Sequence, residues 1–147
     1  MTVVEDGWTP LFDSLAEKVS AEGRRRLLFQ LIGDVFDVTV LNLGPEGIAR
    51  PDQWAALTEK YAQEKHGGDR TPTLILSGEL KEGFRTEINT EFATLTNIVD
   101  YATEHQFGEP YRNLPARPFY PVDENGLTFT PYMTERLHTI IDAHFAT

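Results

Sequence analysis

Apolar residues recur at helical spacing in four long stretches of this chain and alternate with a spacing of two in another, and that contrast sets out its elements. Leu11, Phe12, Leu15, Ala16 and Val19 form a stripe behind Thr9 and Pro10, an N-cap followed by proline at the first helical position. That pairing predicts a helix running to about Ser20, with Gly23 as punctuation. A longer helix is expected over 24–41, with Leu27, Leu28, Leu31, Ile32, Val35, Val38 and Thr39 on one broad face. Burying one such Leu or Val contributes roughly 1.5 to 3 kcal/mol, so this face is expected to organise the core. Residues 42–52 hold Gly44, Pro45, Gly47 and Pro51 and read as a loop, either a partner-binding loop or a plain connection. Helical spacing returns over 53–66 with Trp54, Leu57, Tyr61 and Ala62, and Gly67, Gly68 and Asp69 end it. Leu74, Ile75 and Leu76 make a short apolar anchor that Ser77 and Gly78 break off in a turn.

From Gly83 the period changes. Phe84, Thr86, Ile88 and Thr90 alternate with Arg85, Glu87 and Asn89, and 92–99 is rich in Thr, Leu and Ile, which predicts two antiparallel strands turning near Thr90 and Glu91. One face should lie on the long second helix. A second hairpin is expected where 119–122 and 127–130 flank Asp123, Glu124, Asn125 and Gly126, because Asn-Gly favours a tight hairpin turn. Thr130 and Pro131 repeat the cap-and-proline device, so a last helix is expected to about Phe145, with Met133, Leu137, Ile140, Ile141 and either Phe145 or His144 facing inward. The pattern as a whole reads as one α+β domain over 1–147, with N-terminal helices and a C-terminal helix packed on a small antiparallel sheet.

Between the hairpins, Tyr101, Ala102, His105 and Gln106 share one face of a short helix that should stop at Phe107 or Gly108, since Gly108 can adopt a left-handed conformation and Pro110 discourages continuation. Pro115 and Pro118 restrict the residues before them to extended conformations, so 114–119 should run as a stiff arm with Arg117 projecting. Such an arm is shaped for docking.

Composition removes several chemistries. The 147 residues suffice for one domain with a core that needs no metal or disulfide staple, and Cys is absent, which excludes thiolate zinc sites and cysteine nucleophiles. The N-terminus carries Glu5 and Asp6 and lacks a basic start followed by an apolar run, and no apolar stretch approaches the roughly 20 residues of a membrane span. A soluble protein is the expectation. The net charge of −10 is spread over both halves and opposes generic DNA affinity. The one basic cluster, Arg24, Arg25 and Arg26, is spread around a helix and makes no stripe. Neither sequence-specific nucleic-acid binding nor membrane binding is expected.

Catalytic constellations are weak. His138 and Asp142 stand four apart on the last helix, but without a third ligand they read as a surface pair, and His144 points well round the helix. Glu104 and His105 lack the spacing of a two-histidine zinc helix, and His66 sits at a helix C-terminus where partial positive charge is favoured. The carboxylate pairs Glu5/Asp6 and Asp123/Glu124 lie near flexible segments, and Ser14, Ser20 and Ser77 sit in no nucleophile elbow. No enzyme, cofactor or metal is expected.

The run 101–120 resembles the signature of the tailed-phage virion morphogenesis family, which includes the tail completion proteins of Mu-like and related phages. The residues that carry it are Tyr101, Ala102, His105, Gln106, Phe107, Gly108, Pro115, Ala116, Arg117, Pro118 and Phe119. Upstream, Pro45, Gly47, Trp54, Leu57, Thr58 and Lys60 or Lys65 resemble the family's proline-glycine segment, and Leu76, Ser77, Gly78 and Leu80 its "LSGxL" element. The resemblance covers about 42–119. It departs from the family at the second hairpin, where the arm usually leads quickly into the last helix.

What the resemblance implies is a non-enzymatic virion assembly protein acting at tail completion or head–tail joining. It would form a ring of copies, six-fold in such proteins, between the tail tube protein and the head–tail connector or adaptor. Its place would be the neck of a virion assembled in a host cytoplasm, and a head-side adaptor or capsid morphogenesis factor is the alternative. In a ring around a DNA passage, lumen-facing carboxylates would help DNA slide. His105 would be structural, its side chain bonding a backbone carbonyl at the turn into the arm. The interface would draw on Gly108, Tyr111, Arg112, Leu114, Arg117, Phe119 and Tyr120, with Arg117 offering charge-assisted hydrogen bonds and Phe119 an aromatic anchor. Arg117 and Phe119 have a second reading, an intrachain salt bridge and core packing.

Overall fold

A computed structural model describes residues 8–45, 47, 49–65, 67–70, 74, 78–112, 114–123 and 126–146. Its axis is α2 (Ala21–Leu43), preceded by α1 (Trp8–Val19). Short helices α3 (Glu59–Lys65) and α4 (Glu79–Glu82) lead to strands β1 (Phe84–Ile88) and β2 (Ala93–Asn97). Helix α5 (Ala102–Phe107), a 3-10 turn (Pro110–Arg112) and α6 (Pro131–Phe145) complete the order. The fold is α+β, as the hydrophobic pattern indicates.

The α1/α2 break falls at Ser20, whose hydroxyl accepts the Gly23 N–H at 3.1 Å as an N-cap. Gly23 is therefore inside α2 and does not separate the helices. A Cβ at Gly23 would stand 2.3 Å from the Glu17 carbonyl oxygen and 2.4 Å from that of Lys18, so its missing side chain lets the end of α1 rest on the first turn of α2. The α1 stripe is only partly covered, and Phe12 remains 61% exposed.

Ile32, Val35, Val38 and Thr39 of α2 are buried as their spacing indicates. Two clusters share that helix. Leu43 joins Trp54, Leu80, Phe84, Ala102 and Phe119, while Val35 and Val38 join Ala49, Met133 and Leu137 of α6, with Leu95 packed against both. The strands pair antiparallel from Phe84↔Asn97 to Ile88↔Ala93, and the edge of Phe36 meets the ring of Phe84 at 5.9 Å, seating the sheet on α2. Asp34 of α2 accepts two hydrogen bonds from Arg136 of α6, at 2.6 and 2.8 Å. Thr130 caps α6 through its hydroxyl, with Pro131 in the first turn.

Two expected elements differ. The helix read over 53–66 is helical only from Glu59 to Lys65, and His66 lies outside the described residues. Residues 53–58 stay non-helical because their groups bond elsewhere: Leu57 N–H donates to the Arg70 carbonyl at 2.9 Å, Arg70 Nε returns to the Leu57 carbonyl at 2.8 Å, and Trp54 Nε1 donates to Pro118. The second hairpin is a single bridge, Val122↔Phe129, so one hairpin forms the sheet among the described residues. Gly126 takes a φ of +70 in that turn, while Glu124 and Asn125 lie outside the described residues.

Candidate interaction surface

Helix α5 stops at Gly108, whose φ of +79 lies in the region glycine favours and whose N–H donates to the Glu104 carbonyl at 2.7 Å. A Cβ there would come within 2.8 Å of Ala116 N and 3.0 Å of the Leu114 carbonyl oxygen. The chain then rounds the 3-10 turn and closes it with a reciprocal bridge, Glu109 N–H to Leu114 at 2.9 Å and Leu114 N–H to Glu109 at 3.0 Å.

The segment that follows is extended, as its prolines require, but it is pinned along its length. Arg117 N–H donates to the His105 carbonyl at 2.6 Å. Gln106 Oε1 accepts the N–H groups of Phe119 at 2.9 Å and Tyr120 at 3.3 Å. From the body, Trp54 Nε1 donates to the Pro118 carbonyl at 2.9 Å, and Asn42 Nδ2 donates to Phe119 at 2.9 Å and Ala49 at 3.1 Å. The signature residues therefore make a clasp, in which α5 and the 42–54 segment grip the arm from two sides.

That clasp redistributes the residues expected at the interface. Phe119 is fully buried, edge-on to Phe84 at 6.0 Å, so in this fold it is a core residue and no exposed anchor. Arg117 does not project; it is 7% exposed, with Nη2 reaching the Ala55 carbonyl at 3.4 Å. Phe119 takes its intrachain reading, core packing, whereas Arg117 turns inward without the salt bridge expected of it among the described residues. Tyr120 is half-buried against Phe84 and Phe119, and burial raises its phenol above the usual tyrosine range. Leu114 is half-buried and Gly108 shapes the corner. Tyr111, at the tip of the 3-10 turn, is 99% exposed. Arg112 follows it in the turn, and its side chain lies outside the described residues. His105 contributes its carbonyl where a side-chain bond was expected; its ring meets Tyr101 edge-on at 5.5 Å, and among the described residues its Nδ1 has no hydrogen-bond partner. Burial first, then the Arg117 charge, depress the His105 pKa.

Beside the clasp runs a groove of about 810 Å³, bounded by β2, α5 and the 119–130 turn. Its lining takes Leu95 and Asn97 from one face of β2 and Thr96 from the other, so the strand's edge opens onto it. Among the described residues that edge pairs with no other strand. Phe107, 72% exposed, and Phe129 stand at its rim, and its charged members are Asp52 and Asp123. Neither the groove nor the role of Gln106 was read from the sequence; the expected two-stranded hairpin, which leaves an outer edge on each strand, was the signal available for the groove.

On α6, His138 and Asp142 are exposed beside a shallow hollow with Phe129 and Thr134. Among the described residues no three His, Asp or Glu side chains could hold a metal, and no helix is long and apolar enough to cross a membrane. Set against family models, curated proteins and solved structures, the chain matches none.

Proposed function

We propose that this chain is a non-enzymatic assembly protein of a tailed bacteriophage, acting at tail completion and head–tail joining as a ring of copies between tail tube and connector. The observation that carries the reading is the coexistence of a knob and a groove on one subunit: Tyr111, fully exposed on a braced turn, and the apolar groove beside the open edge of β2. A knob on one face that fits a groove on another makes a head-to-tail contact, and such contacts close into rings when the rotation allows. Open strand edges accept added chain readily. The clasp supports the same reading, since it holds the resemblance-bearing residues in one rigid corner that presents the knob.

The test is native mass by light scattering with negative-stain imaging, for the protein alone and mixed with tail tubes, in wild type and Tyr111→Asp. A closed ring, or a monomer that caps one tube end, with Tyr111→Asp remaining folded and monomeric, is the expected result. A monomer that ignores tubes and binds connector or capsid components moves the role to the head side. A folded protein indifferent to both overturns the reading.

A further inference from the structure

The register of the hairpin fixes which backbone groups leave it. Ile98 N–H donates to the Gly83 carbonyl at 2.9 Å, and Asn89 N–H to that of Phe92 at 3.0 Å. Phe84↔Asn97, Thr86↔Leu95 and Ile88↔Ala93 are therefore the pairs of the ladder that exchange no hydrogen bonds. Ala93, Leu95 and Asn97 consequently turn their N–H and C=O groups away from β1, a row of three donors and three acceptors along the outer side of β2.

The two outer sides of the sheet are treated differently. On β1, Arg85 folds back so that its Nη1 donates to the Phe84 carbonyl at 2.8 Å and to that of Glu82 at 2.8 Å, a cationic guard of the kind that blunts strand edges. On β2, Ala93, Leu95 and Asn97 all line the groove of about 810 Å³, and among the described residues no other backbone group meets their row. Leu95 packs on both core clusters, and Ile32 and Val35 of α2 line the same groove. A strand added beside β2 would continue that face and set every second side chain over an apolar floor. Tyr111 cannot answer such a row, since it brings one hydroxyl to six backbone groups.

From this register we infer that β2 takes a third strand from a partner protein, an extended segment with β-branched apolar residues at alternate positions and Lys or Arg at its ends. Backbone pairing along 93, 95 and 97 supplies the affinity, and the apolar floor selects the alternate side chains. The cationic ends follow from charge: Asp52 and Asp123 are the charged residues of the groove, no Lys or Arg lines it among the described residues, and the chain carries a net charge of −10. The inference goes beyond the ring reading, which concerns where a neighbouring Tyr111 docks, and it holds whether or not a ring forms.

The probe is the peptide acetyl-KVTVTVK-amide, with acetyl-EVTVTVE-amide as its charge-reversed twin. The host is Tyr111→Asp, so that no neighbour's knob enters the groove and failure of ring assembly does not decide the result. Amide hydrogen exchange, followed by NMR, reads the outward N–H groups of Ala93, Leu95 and Asn97 against those of Thr86 and Ile88 on the guarded edge. With the Lys peptide at tenfold its Kd, the first three should slow about tenfold and the other two stay as they are. The Glu peptide should bind about tenfold more weakly, a gap that narrows in about 1 M salt. No slowing at Ala93, Leu95 and Asn97 with either peptide, slowing at Thr86 and Ile88 in their place, or equal affinity for the two peptides overturns the inference. Slowing that rises with protein concentration and needs no peptide gives the edge to a second copy, and overturns it as well.

Discussion

Gln106 Oε1 accepts the backbone N–H of Phe119 at 2.9 Å and, from the same oxygen, that of Tyr120 at 3.3 Å. One side-chain oxygen thus satisfies two successive donors of a chain entering the core. Removing it strands both.

Gln106→Ala should therefore lower stability by about 1 to 3 kcal/mol, the range for leaving buried donors unsatisfied. Gln106→Glu, which keeps the accepting oxygen, should retain most of the stability. Urea midpoints of the two variants check the order.

Two glycines predict opposite signs. Gly108→Ala combines a φ of +79 with a Cβ 2.8 Å from Ala116 N, and should cost about 2 kcal/mol or more. Gly33 lies inside α2 with nothing within 4 Å of an added Cβ, so Gly33→Ala should stabilise by about 0.5 to 1 kcal/mol. Thermal melts of both variants, run side by side, give the comparison.

Asn42 is fully buried and donates through one nitrogen to two carbonyls, those of Phe119 and Ala49. Asn42→Asp should be worse than Asn42→Ala, because it faces a carboxylate with two carbonyl oxygens where Ala only leaves them unpaired. Losses of about 2 to 4 kcal/mol are expected, with the Asp variant at or beyond the upper end. Equal midpoints for the two would contradict this account.

His105 carries a pH dependence whose sign is fixed by its lowered pKa, caused first by burial and then by Arg117. The unfolded chain binds a proton more readily than the folded one, so this stability is present above the unfolded value of about 6.5 and is lost as pH falls through the folded pKa. Tm should fall between pH 7.5 and 5.0, and His105→Gln should flatten part of that fall. An identical slope in the variant would remove His105 from the explanation.

The sequence discloses elements whose cause is local. The inward face of α2, the stop at Gly108 and the Thr130 cap all follow from spacing or from one residue's conformational reach. Trp54 misleads because its helical spacing with Leu57 and Tyr61 is outweighed by an indole bond to a carbonyl 64 residues away. Asn42 and Gln106 look like ordinary polar positions until the arm they hold is in place. Phe12 and Val19 satisfy a helical stripe yet stay exposed, since periodicity marks a face without saying what covers it. Arg117 reads as a projecting cation between prolines, and only the closing of the arm onto 42–54 takes it inside.

The bond from Asn42 to Phe119 spans 77 residues and that from Trp54 to Pro118 spans 64. Leu43, Trp54 and Phe84 thus share a core whose last wall is supplied late in the chain. During synthesis the first hundred residues can form α1, α2 and the hairpin but cannot shut that core, which waits for residue 119 to emerge. High sequence separation of this kind slows closure, because loop entropy is lost before the contact forms. A nascent chain halted before the arm would show its aromatic interior to solvent, and completion of the fold is a single late event of chain return.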